Sequence, residues 1–112
     1  MSVISLIVPC YNEEANIVPF YDEICRVIAK ISGADFELMF VDDGSKDDTF
    51  KRIQELHAKD TRVKCISFSR NFGKEAALFS GIRAVSGDCA VILDADLQHP
   101  PEIICEMYEK WY

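Results

Sequence analysis

The sequence predicts an α/β fold in which a parallel sheet carries helices on both faces. Two observations lead to this prediction. Four short apolar runs, rich in β-branched and aromatic residues, recur along the 112 residues, and segments with a helical spacing of apolar residues separate them. Strands that alternate with helices in this way form βαβ units, whose strands lie parallel and whose crossovers are right-handed.

Each predicted strand is short and almost continuously apolar. A strand that is exposed on one face alternates apolar and polar residues, whereas the strands of a parallel sheet are covered on both faces and lose that alternation. We therefore expect strands that are buried on both faces, spanning Val3–Val8, Phe36–Val41, Val63–Phe68 and Cys89–Leu93.

The first connecting segment predicts an amphipathic helix. Pro19 is expected in its first turn, where a missing N–H costs little. The apolar residues of the segment recur three and four positions apart, which indicates one stripe that faces the core. This stripe consists of Ile17, Phe20, Ile24, Val27, Ile28 and Ile31.

Three further helices are expected. The second follows the segment Ser45–Asp48, whose first and last residues resemble a capping pair. The third is rich in alanine and runs from about Lys74 to Val85, and the fourth opens at Pro100–Glu102. The apolar positions of the second helix are Phe50, Ile53 and Leu56.

Composition excludes several classes of protein. The 112 residues fit one domain, 1–112, and 12 Lys+Arg against 19 Asp+Glu give a net charge of −7, which argues against a nucleic-acid partner. The 5 cysteines are odd in number and lack C-x-x-C spacing, so we expect free thiols in a reducing cytoplasm and no zinc site. No signal peptide and no apolar run of about 18 residues is present, so the chain is expected to be soluble.

Unusual polar clusters follow all four predicted strands. The opposite ends of the strands carry only ordinary turn residues. Because ligands of open parallel sheets bind at the carboxyl ends of the strands, this asymmetry predicts a site there. Neither the G-x-G-x-x-G fingerprint nor the P-loop motif is present. The clusters are Pro9–Glu14, Asp42–Ser45, Ser69–Lys74 and Asp94–His99.

Asp94 and Asp96 form the sharpest candidate site. Residues two apart on a strand point to the same side, and two carboxylates held close together repel each other unless a positive charge lies between them. Mg²⁺ or Mn²⁺ fits this role because hard cations prefer oxygen ligands, and Gln98 adds a carbonyl oxygen at the next step. The alternative is that both aspartates cap the following helix.

The other clusters have both a binding and a structural interpretation. Asp42 could accept a hydrogen bond from a base or a ribose hydroxyl, while Asp42–Ser45 also has the composition of a turn. Tyr11 offers a flat face to a base, or it packs. Arg70 and Lys74 supply cations beside a helix N-terminus, or they are surface charges. His99 is a candidate ligand or a structural residue, and Glu13 and Glu14 could simply favour a helix start.

The motifs VPCYNEE (8–14), VDDGSKD (41–47), SRNFGKEAA (69–77) and LDADLQHPPE (93–102) resemble the inverting glycosyltransferases of family 2. The third motif narrows the resemblance to the polyprenyl-phosphate branch, which includes the bactoprenol glucosyltransferases and dolichol-phosphate mannose synthase. The resemblance implies a Rossmann-like sheet that forms the nucleotide-sugar-binding half of a GT-A fold. Cys10 departs from the small or β-branched residue that is usual at its position.

The resemblance also implies roles for individual residues. Asp94 and Asp96 would act in catalysis by holding Mg²⁺ or Mn²⁺ and the donor diphosphate, with Gln98 as a further ligand. The donor is expected to be UDP-glucose and the acceptor a polyprenyl phosphate. The expected nucleotide-sugar-binding residues are Pro9, Tyr11, Asn12, Glu13, Asp42, Asp43, Arg70 and Lys74.

Length sets this chain apart from the family it resembles, whose members are at least twice as long. We therefore expect residues 1–112 to be a donor-binding half. The full protein would be associated with the cytoplasmic face of a membrane and could form a homo-oligomer. One alternative is a nucleotide-sugar-binding module without catalytic activity. A receiver-like signalling domain is disfavoured, because its acidic pair follows the first strand whereas Asp42 and Asp43 follow the second.

Overall fold

A computed structural model describes residues 2–31, 33–85 and 89–93, and it confirms the α/β fold. Four parallel strands form one sheet in the order β3-β2-β1-β4. The predicted fourth helix and the residues from Asp94 onward lie outside the described residues. The elements are β1 (Ser2–Cys10), α1 (Glu14–Ile28), β2 (Ala34–Asp42), α2 (Thr49–Lys59), β3 (Val63–Ser67), α3 (Lys74–Ala84) and β4 (Cys89–Ile92).

The larger part of the core lies between the sheet and the helices α1 and α2. The predicted stripe of α1 faces this core, and its members from Ile17 to Ile28 are at most 6% exposed. Alternate residues of β1 and β2 meet this stripe, and Phe20 packs edge-on against Phe40 with ring centroids 6.1 Å apart. The strand residues in this layer include Ile4, Leu6, Val8, Phe36, Leu38, Phe40 and Val63.

The start of α1 differs from the prediction. The helix begins at Glu14, so Pro19 is its sixth residue and lies inside the helix instead of in the first turn. The missing N–H of Pro19 therefore removes one bond of the helical ladder. The earlier start has a physical reason, because side chains of the segment 45–49 accept hydrogen bonds from the N–H groups at the beginning of this helix.

Helix α3 covers the other face of the sheet at very close range. A Cβ atom on Gly81 would lie 2.5 Å from Cγ2 of Ile7 and 3.2 Å from Cγ2 of Val41, so only glycine allows this approach. Ala77 is fully buried on the same side of the helix. Apolar side chains also lie on the outer side of α3, where Phe79 is 63% exposed and Ile82 is 53% exposed.

A buried pair of polar residues, one in β1 and one in β2, departs from the expected apolar pattern of the strands. Ser5 and Glu37 face each other across β1 and β2, and both are buried. The Ser5 hydroxyl donates to Oε1 of Glu37 at 2.8 Å, and the Lys64 ammonium donates to Oε2 at 2.7 Å. A buried carboxylate is tolerated here because both of its oxygens have donors.

None of the helices among residues 2–31, 33–85 and 89–93 is long and apolar enough to cross a membrane. Among the same residues Cys10, Cys25 and Cys65 are free thiols, as predicted. The side chain of Cys89 and the whole of Cys105 lie outside that description.

The amino ends of β2 and β3 are fastened by a charged network. The Arg62 guanidinium donates to Asp60 and, at 2.7 Å, to Asp35, and it lies 4.1 Å above the Phe36 ring. The Tyr21 hydroxyl donates to Asp60 at 2.6 Å. These turns were predicted to be ordinary, whereas the structure gives them a network that joins α1, β2 and the end of α2.

This network makes stability depend on pH. The Arg62 guanidinium, helped by the Tyr21 hydroxyl, holds the pKa of Asp60 well below its usual range despite partial burial. Because the pKa of Asp60 is lower in the folded chain than in the unfolded chain, its carboxylate stabilises the fold at pH values above the unfolded-state pKa of about 3.9. This contribution is lost as the pH falls below that value. We therefore expect Asp60→Asn to cost about 1 kcal/mol at pH 7, since Arg62 is partly exposed, and much less near pH 2.

Urea unfolding of both chains from pH 7 to pH 2 measures this difference. Asp22→Asn, which removes the same charge from an exposed site on α1, is the matched control. A difference between wild type and Asp60→Asn that stays constant over this range would contradict the role given to the network.

Candidate functional site

A cleft lies at the carboxyl edge of the sheet, where the sequence predicted a site. Strand β1 stands between β2 and β4, and the chain crosses one face through α1 and the other through α3, so the strand order reverses here. Such a switch point is where open α/β sheets bind ligands. The residues that line the cleft are Pro9, Cys10, Tyr11, Glu13, Asp43, Lys74 and Ala77.

Five of the predicted nucleotide-sugar-binding residues meet in this cleft. Cys10 and Ala77 also line it although they were not predicted, and Ala77 follows Lys74 by three positions, a spacing that puts both on one side of α3. The cleft holds about 160 Å³. Pockets that enclose a drug-sized ligand hold roughly 300–1,000 Å³, so this cleft is smaller than a pocket that would enclose such a ligand. The five are Pro9, Tyr11, Glu13, Asp43 and Lys74.

Asp43 joins the end of β2 to the start of α3. Its N–H donates to the carbonyl of Cys10 at 2.9 Å, and its carboxylate accepts from the N–H groups of Phe72 at 2.8 Å and Gly73 at 3.0 Å. The side chain is almost fully buried. Arg70 and Lys74 were predicted to bind an anion together with the N–H groups at the start of α3. The two N–H groups just before that helix, however, already donate to the Asp43 carboxylate.

Asp42 is also buried, and it closes its own turn. Its Oδ1 atom accepts from the N–H of Ser45 at 3.1 Å, and its carbonyl accepts from the N–H of Phe68 at 2.9 Å. The turn interpretation of this residue is therefore observed, and a contact with a base stays a prediction.

Gly44 allows this turn to lie directly against the loop before α3. Its φ of +74° is one that side-chain-bearing residues rarely adopt. A Cβ atom there would lie 2.2 Å from the carbonyl carbon of Arg70 and 2.4 Å from the nitrogen of Asn71. The close approach of the two loops therefore requires glycine.

The two predicted cations separate in the structure. Lys74 lines the cleft, whereas the Arg70 guanidinium lies 4.8 Å above the Phe72 ring and outside the lining. A cation held above an aromatic face in this way gains about 0.5–1 kcal/mol at an exposed position. Lys74 is thus the cation that the described structure brings to the cleft.

Asn12 faces the neighbouring loop instead of the cleft. Its φ is +53°, its side-chain oxygen accepts from the N–H of Lys46 at 2.9 Å, and its own N–H donates to Oγ of Ser45 at 2.9 Å. The predicted capping of α2 by Ser45 and Asp48 is wrong, since Asp48 makes no side-chain cap and the Ser45 hydroxyl serves Asn12.

Tyr11 lines the cleft with 41% of its surface exposed, and the stacking of a base on its ring stays a prediction. Beside it, Cys10 is buried and its thiol donates to the Val41 carbonyl at 3.5 Å. Burial, followed by the charge of Asp42, raises the pKa of Cys10 far above its usual range, and the same two causes raise the pKa of Cys65 to about 12. Both thiols stay protonated at neutral pH, so neither is a nucleophile.

The predicted metal ligands Asp94, Asp96 and Gln98, and the candidate His99, lie outside the described residues. The last described residue before them, Leu93, directly follows β4, and its N–H donates to the Ile7 carbonyl of β1 at 3.0 Å. Residues 2–31, 33–85 and 89–93 contain no group of three or more acidic, histidine or cysteine side chains that could hold a metal. The metal site stays a prediction.

Comparison with known proteins gives one family. The model of glycosyl transferase family 2 matches residues 5–112. The putative glycosyltransferase CsbB of Bacillus subtilis is 44% identical over 98% of the chain, and the bactoprenol glucosyl transferase of Shigella phage SfV is 45% identical over 96%. The chain spans only about a third of these relatives, 34% and 35% of their lengths.

Two solved structures share the fold. The mannosyltransferase PcManGT from Pyrobaculum calidifontis, in complex with GDP-Man and Mn²⁺, superposes with a TM-score of 0.76 at 26% identity, over 96% of this chain and 31% of that one. Glucosyl-3-phosphoglycerate synthase from Mycobacterium tuberculosis, in complex with UDP, superposes with a TM-score of 0.67 at 32% identity, over 93% and 38%. The GT-A fold expected from the resemblance is confirmed.

Substitution of Gly44 tests the contact between the two loops. Gly44→Ala and Gly33→Ala both place a side chain at a positive φ, +74° and +77°, which costs about 1–2 kcal/mol. At Gly33 no atom lies within 4 Å of the added Cβ, whereas at Gly44 it meets the backbone of Arg70. We expect Gly44→Ala to lower the free energy of unfolding by about 1–3 kcal/mol more than Gly33→Ala. Equal losses in urea unfolding would contradict the close approach.

Proposed function

The chain belongs to glycosyl transferase family 2, and on that basis we propose that it binds the nucleotide-sugar donor of a glycosyltransferase. One observation carries the proposal: the cleft at the switch point brings together the end of β1, the end of β2 and the start of α3. An aromatic side chain, a carboxylate and a cation line this cleft together. These groups match the base, the ribose hydroxyls and the phosphates of a nucleotide sugar.

The donor that we propose is UDP-glucose. Its uracil would lie against Pro9 and Tyr11, with Glu13 at the ribose and Asp42 at the base. Lys74 would face the diphosphate. Arg70 and Asn12, which lie in the loops beside the cleft, would also contact the donor. Support comes from the phage relative, named a bactoprenol glucosyl transferase, and from the mycobacterial neighbour that binds UDP.

Charge explains why this donor site also needs a metal. The chain carries a net charge of −7, so a diphosphate that approaches the acidic edge is repelled. We propose that Asp94, Asp96 and Gln98 hold Mg²⁺ or Mn²⁺, since their oxygen donors suit a hard cation. The bound metal would supply Lewis-acid stabilisation of the charge on the leaving diphosphate. Support comes from the Mn²⁺ complex of the archaeal mannosyltransferase.

The transfer that we propose inverts the anomeric carbon. A polyprenyl phosphate would attack from the face opposite the leaving UDP, and its second pKa of about 6 means that it is mostly ionised at neutral pH. A strong general base is then unnecessary, and positioning is the main task of the protein. Residues 1–112 would hold the donor, and the acceptor side would lie in the remainder of a longer protein on the cytoplasmic face of a membrane.

A second candidate is a nucleotide-sugar-binding module without transferase activity. The observation that favours it is that the groups lining the described cleft, an aromatic ring, carboxylates and a cation, suit the binding of a nucleotide sugar and do not by themselves require catalysis. Both candidates predict donor binding, and only sugar transfer separates them.

Calorimetric titration tests the donor site and its metal. We expect UDP-glucose to bind the wild-type chain at least about tenfold more tightly with Mn²⁺ than without it, because the cation offsets the charge repulsion. Asp96→Ala should remove this gain, while Asp22→Ala, the same change on the exposed side of α1, should retain it. An affinity that is unaffected by Mn²⁺ would overturn the metal proposal, and no binding at all would overturn the donor site.

A chimera tests transfer. Residues 5–112 would replace the matching third of the bactoprenol glucosyl transferase of Shigella phage SfV, and glucose transfer from UDP-glucose to a short polyprenyl phosphate would be measured. We expect activity in the chimera and a loss of about 10²–10³-fold in Asp94→Asn, comparable to removal of one preorganised electrostatic partner. A chimera that binds UDP-glucose without transferring glucose, beside an active parent, would favour the non-catalytic module.

A further inference from the structure

The start of α1 receives its capping groups from a distant part of the chain. The residue before the helix, Glu13, makes no side-chain cap of its own. Instead its N–H donates to Oγ1 of Thr49 at 2.9 Å, and the N–H of Glu14 donates to Oδ2 of Asp47 at 3.4 Å. Helix N-termini leave such N–H groups without partners, so side chains that accept from them fix where the helix begins.

Asp47 and Thr49 hold each other in place for this task. The Thr49 N–H donates to Oδ1 of Asp47 at 3.0 Å, and the Thr49 hydroxyl donates to the same oxygen. With its proton committed to Asp47, the hydroxyl oxygen presents a lone pair to the N–H of Glu13. Thr49 is fully buried, so the orientation of its hydroxyl is fixed by the protein and not by solvent.

The charge of Asp47 is maintained by these bonds. Burial works to raise the pKa of Asp47, but the hydrogen bonds from the Thr49 hydroxyl and N–H and from the Glu14 N–H outweigh it and hold the pKa below its usual range. The side chain is therefore a carboxylate at neutral pH, and a carboxylate is the stronger acceptor toward backbone N–H groups at a helix start.

The two residues are close to the cleft without being part of it. Neither Asp47 nor Thr49 lines the cleft, whereas Tyr11 and Glu13 do. The backbone between Tyr11 and the first turn of α1 is thus held by hydrogen bonds whose acceptors follow β2. A shift of Thr49 or Asp47 would act first on the backbone of Glu13 and Glu14, next to Tyr11 in the cleft.

We propose that Thr49 and Asp47 are positioning residues of the donor site, which set the place of Tyr11 and Glu13 relative to Asp43 through the backbone N–H groups of Glu13 and Glu14. This inference rests on the proposed donor-binding function. It assigns the two residues no contact with the nucleotide.

A purely stabilising cap makes a different prediction. Loss of such a cap would lower the free energy of unfolding and leave the affinity of the folded protein for a nucleotide unchanged. Tyr21→Phe is the matched control, because it removes a 2.6 Å hydrogen bond to Asp60 at the opposite edge of the sheet. Its loss of stability should resemble that of a lost cap, about 1 kcal/mol, without any change near the cleft.

The experiment compares Thr49→Val, Thr49→Ser and Tyr21→Phe in UDP titrations by calorimetry and in urea unfolding. Valine has nearly the shape of threonine but cannot accept a hydrogen bond, so we expect Thr49→Val to weaken UDP binding about tenfold. Thr49→Ser keeps the hydroxyl and should stay within about threefold of wild type. Tyr21→Phe should lose stability and bind UDP as wild type does.

Amide hydrogen exchange gives a readout that does not depend on the ligand. The Glu13 N–H should exchange faster in Thr49→Val than in wild type, and Thr49→Ser should restore its protection. Should Thr49→Val fail to fold, Asp47→Asn replaces it, since it removes the charge while keeping the shape, and it should also weaken UDP binding.

Three outcomes oppose the inference, and they are distinguishable. Wild-type UDP affinity in a folded Thr49→Val or Asp47→Asn chain overturns the positioning role alone. Equal losses of affinity in Thr49→Val and Tyr21→Phe also overturn it, because the effect would then follow stability. Absence of UDP binding in wild type overturns the proposed function, and the inference falls with it.

Discussion

The structure around the cleft depends on one short segment, residues 42–49, which hydrogen-bonds both helices that begin at the carboxyl edge. On one side, the Asp43 carboxylate accepts the two N–H groups that precede α3. On the other side, Thr49 and Asp47 accept the N–H groups at the start of α1. The two helices lie on different faces of the sheet, so this single loop connects Tyr11 and Glu13, which precede α1, with Lys74 at the start of α3. Gly44 makes this arrangement possible, since any side chain there would collide with the backbone of Arg70.

The same arrangement bears on how an acidic chain would bind the anionic donor that we propose. Asp42 and Asp43 are buried, and each has an oxygen bonded to backbone N–H groups, so part of the negative charge at this edge is compensated locally. Lys74 enters the cleft directly after the N–H groups that Asp43 binds. The divalent cation proposed at Asp94 and Asp96 would add further positive charge for a bound diphosphate.

The sequence allowed the fold and the edge that carries the site to be predicted, because both depend on local patterns. Continuous apolar runs and helical stripes give the strands and helices, and a parallel sheet brings all the strand ends to one edge. The cross-loop hydrogen bonds were not predictable in this way. The bond from Asn12 to Ser45 joins residues 33 apart and that from Glu13 to Thr49 joins residues 36 apart, whereas capping rules compare residues three apart. Applied locally, those rules assigned Ser45 to the start of α2, whereas its hydroxyl accepts from the N–H of Asn12 in the loop before α1.

Asp42 and Asp43 are adjacent but have different hydrogen-bond partners, and this difference affects how substitutions at the carboxyl edge of the sheet should be interpreted. Asp42 bonds within its own turn, while Asp43 bonds to the loop before α3. Replacing Asp43 by alanine would leave the N–H groups of Phe72 and Gly73 without this acceptor and disturb the loop that leads to Lys74, so a loss of nucleotide binding would not identify Asp43 as a ligand contact. Only a substitution of Asp43 that keeps those two hydrogen bonds would show whether Asp43 itself contacts the nucleotide. The residues best suited to report direct binding are therefore Tyr11 and Lys74, whose side chains reach the cleft from elements that Asp43 and Thr49 hold in place.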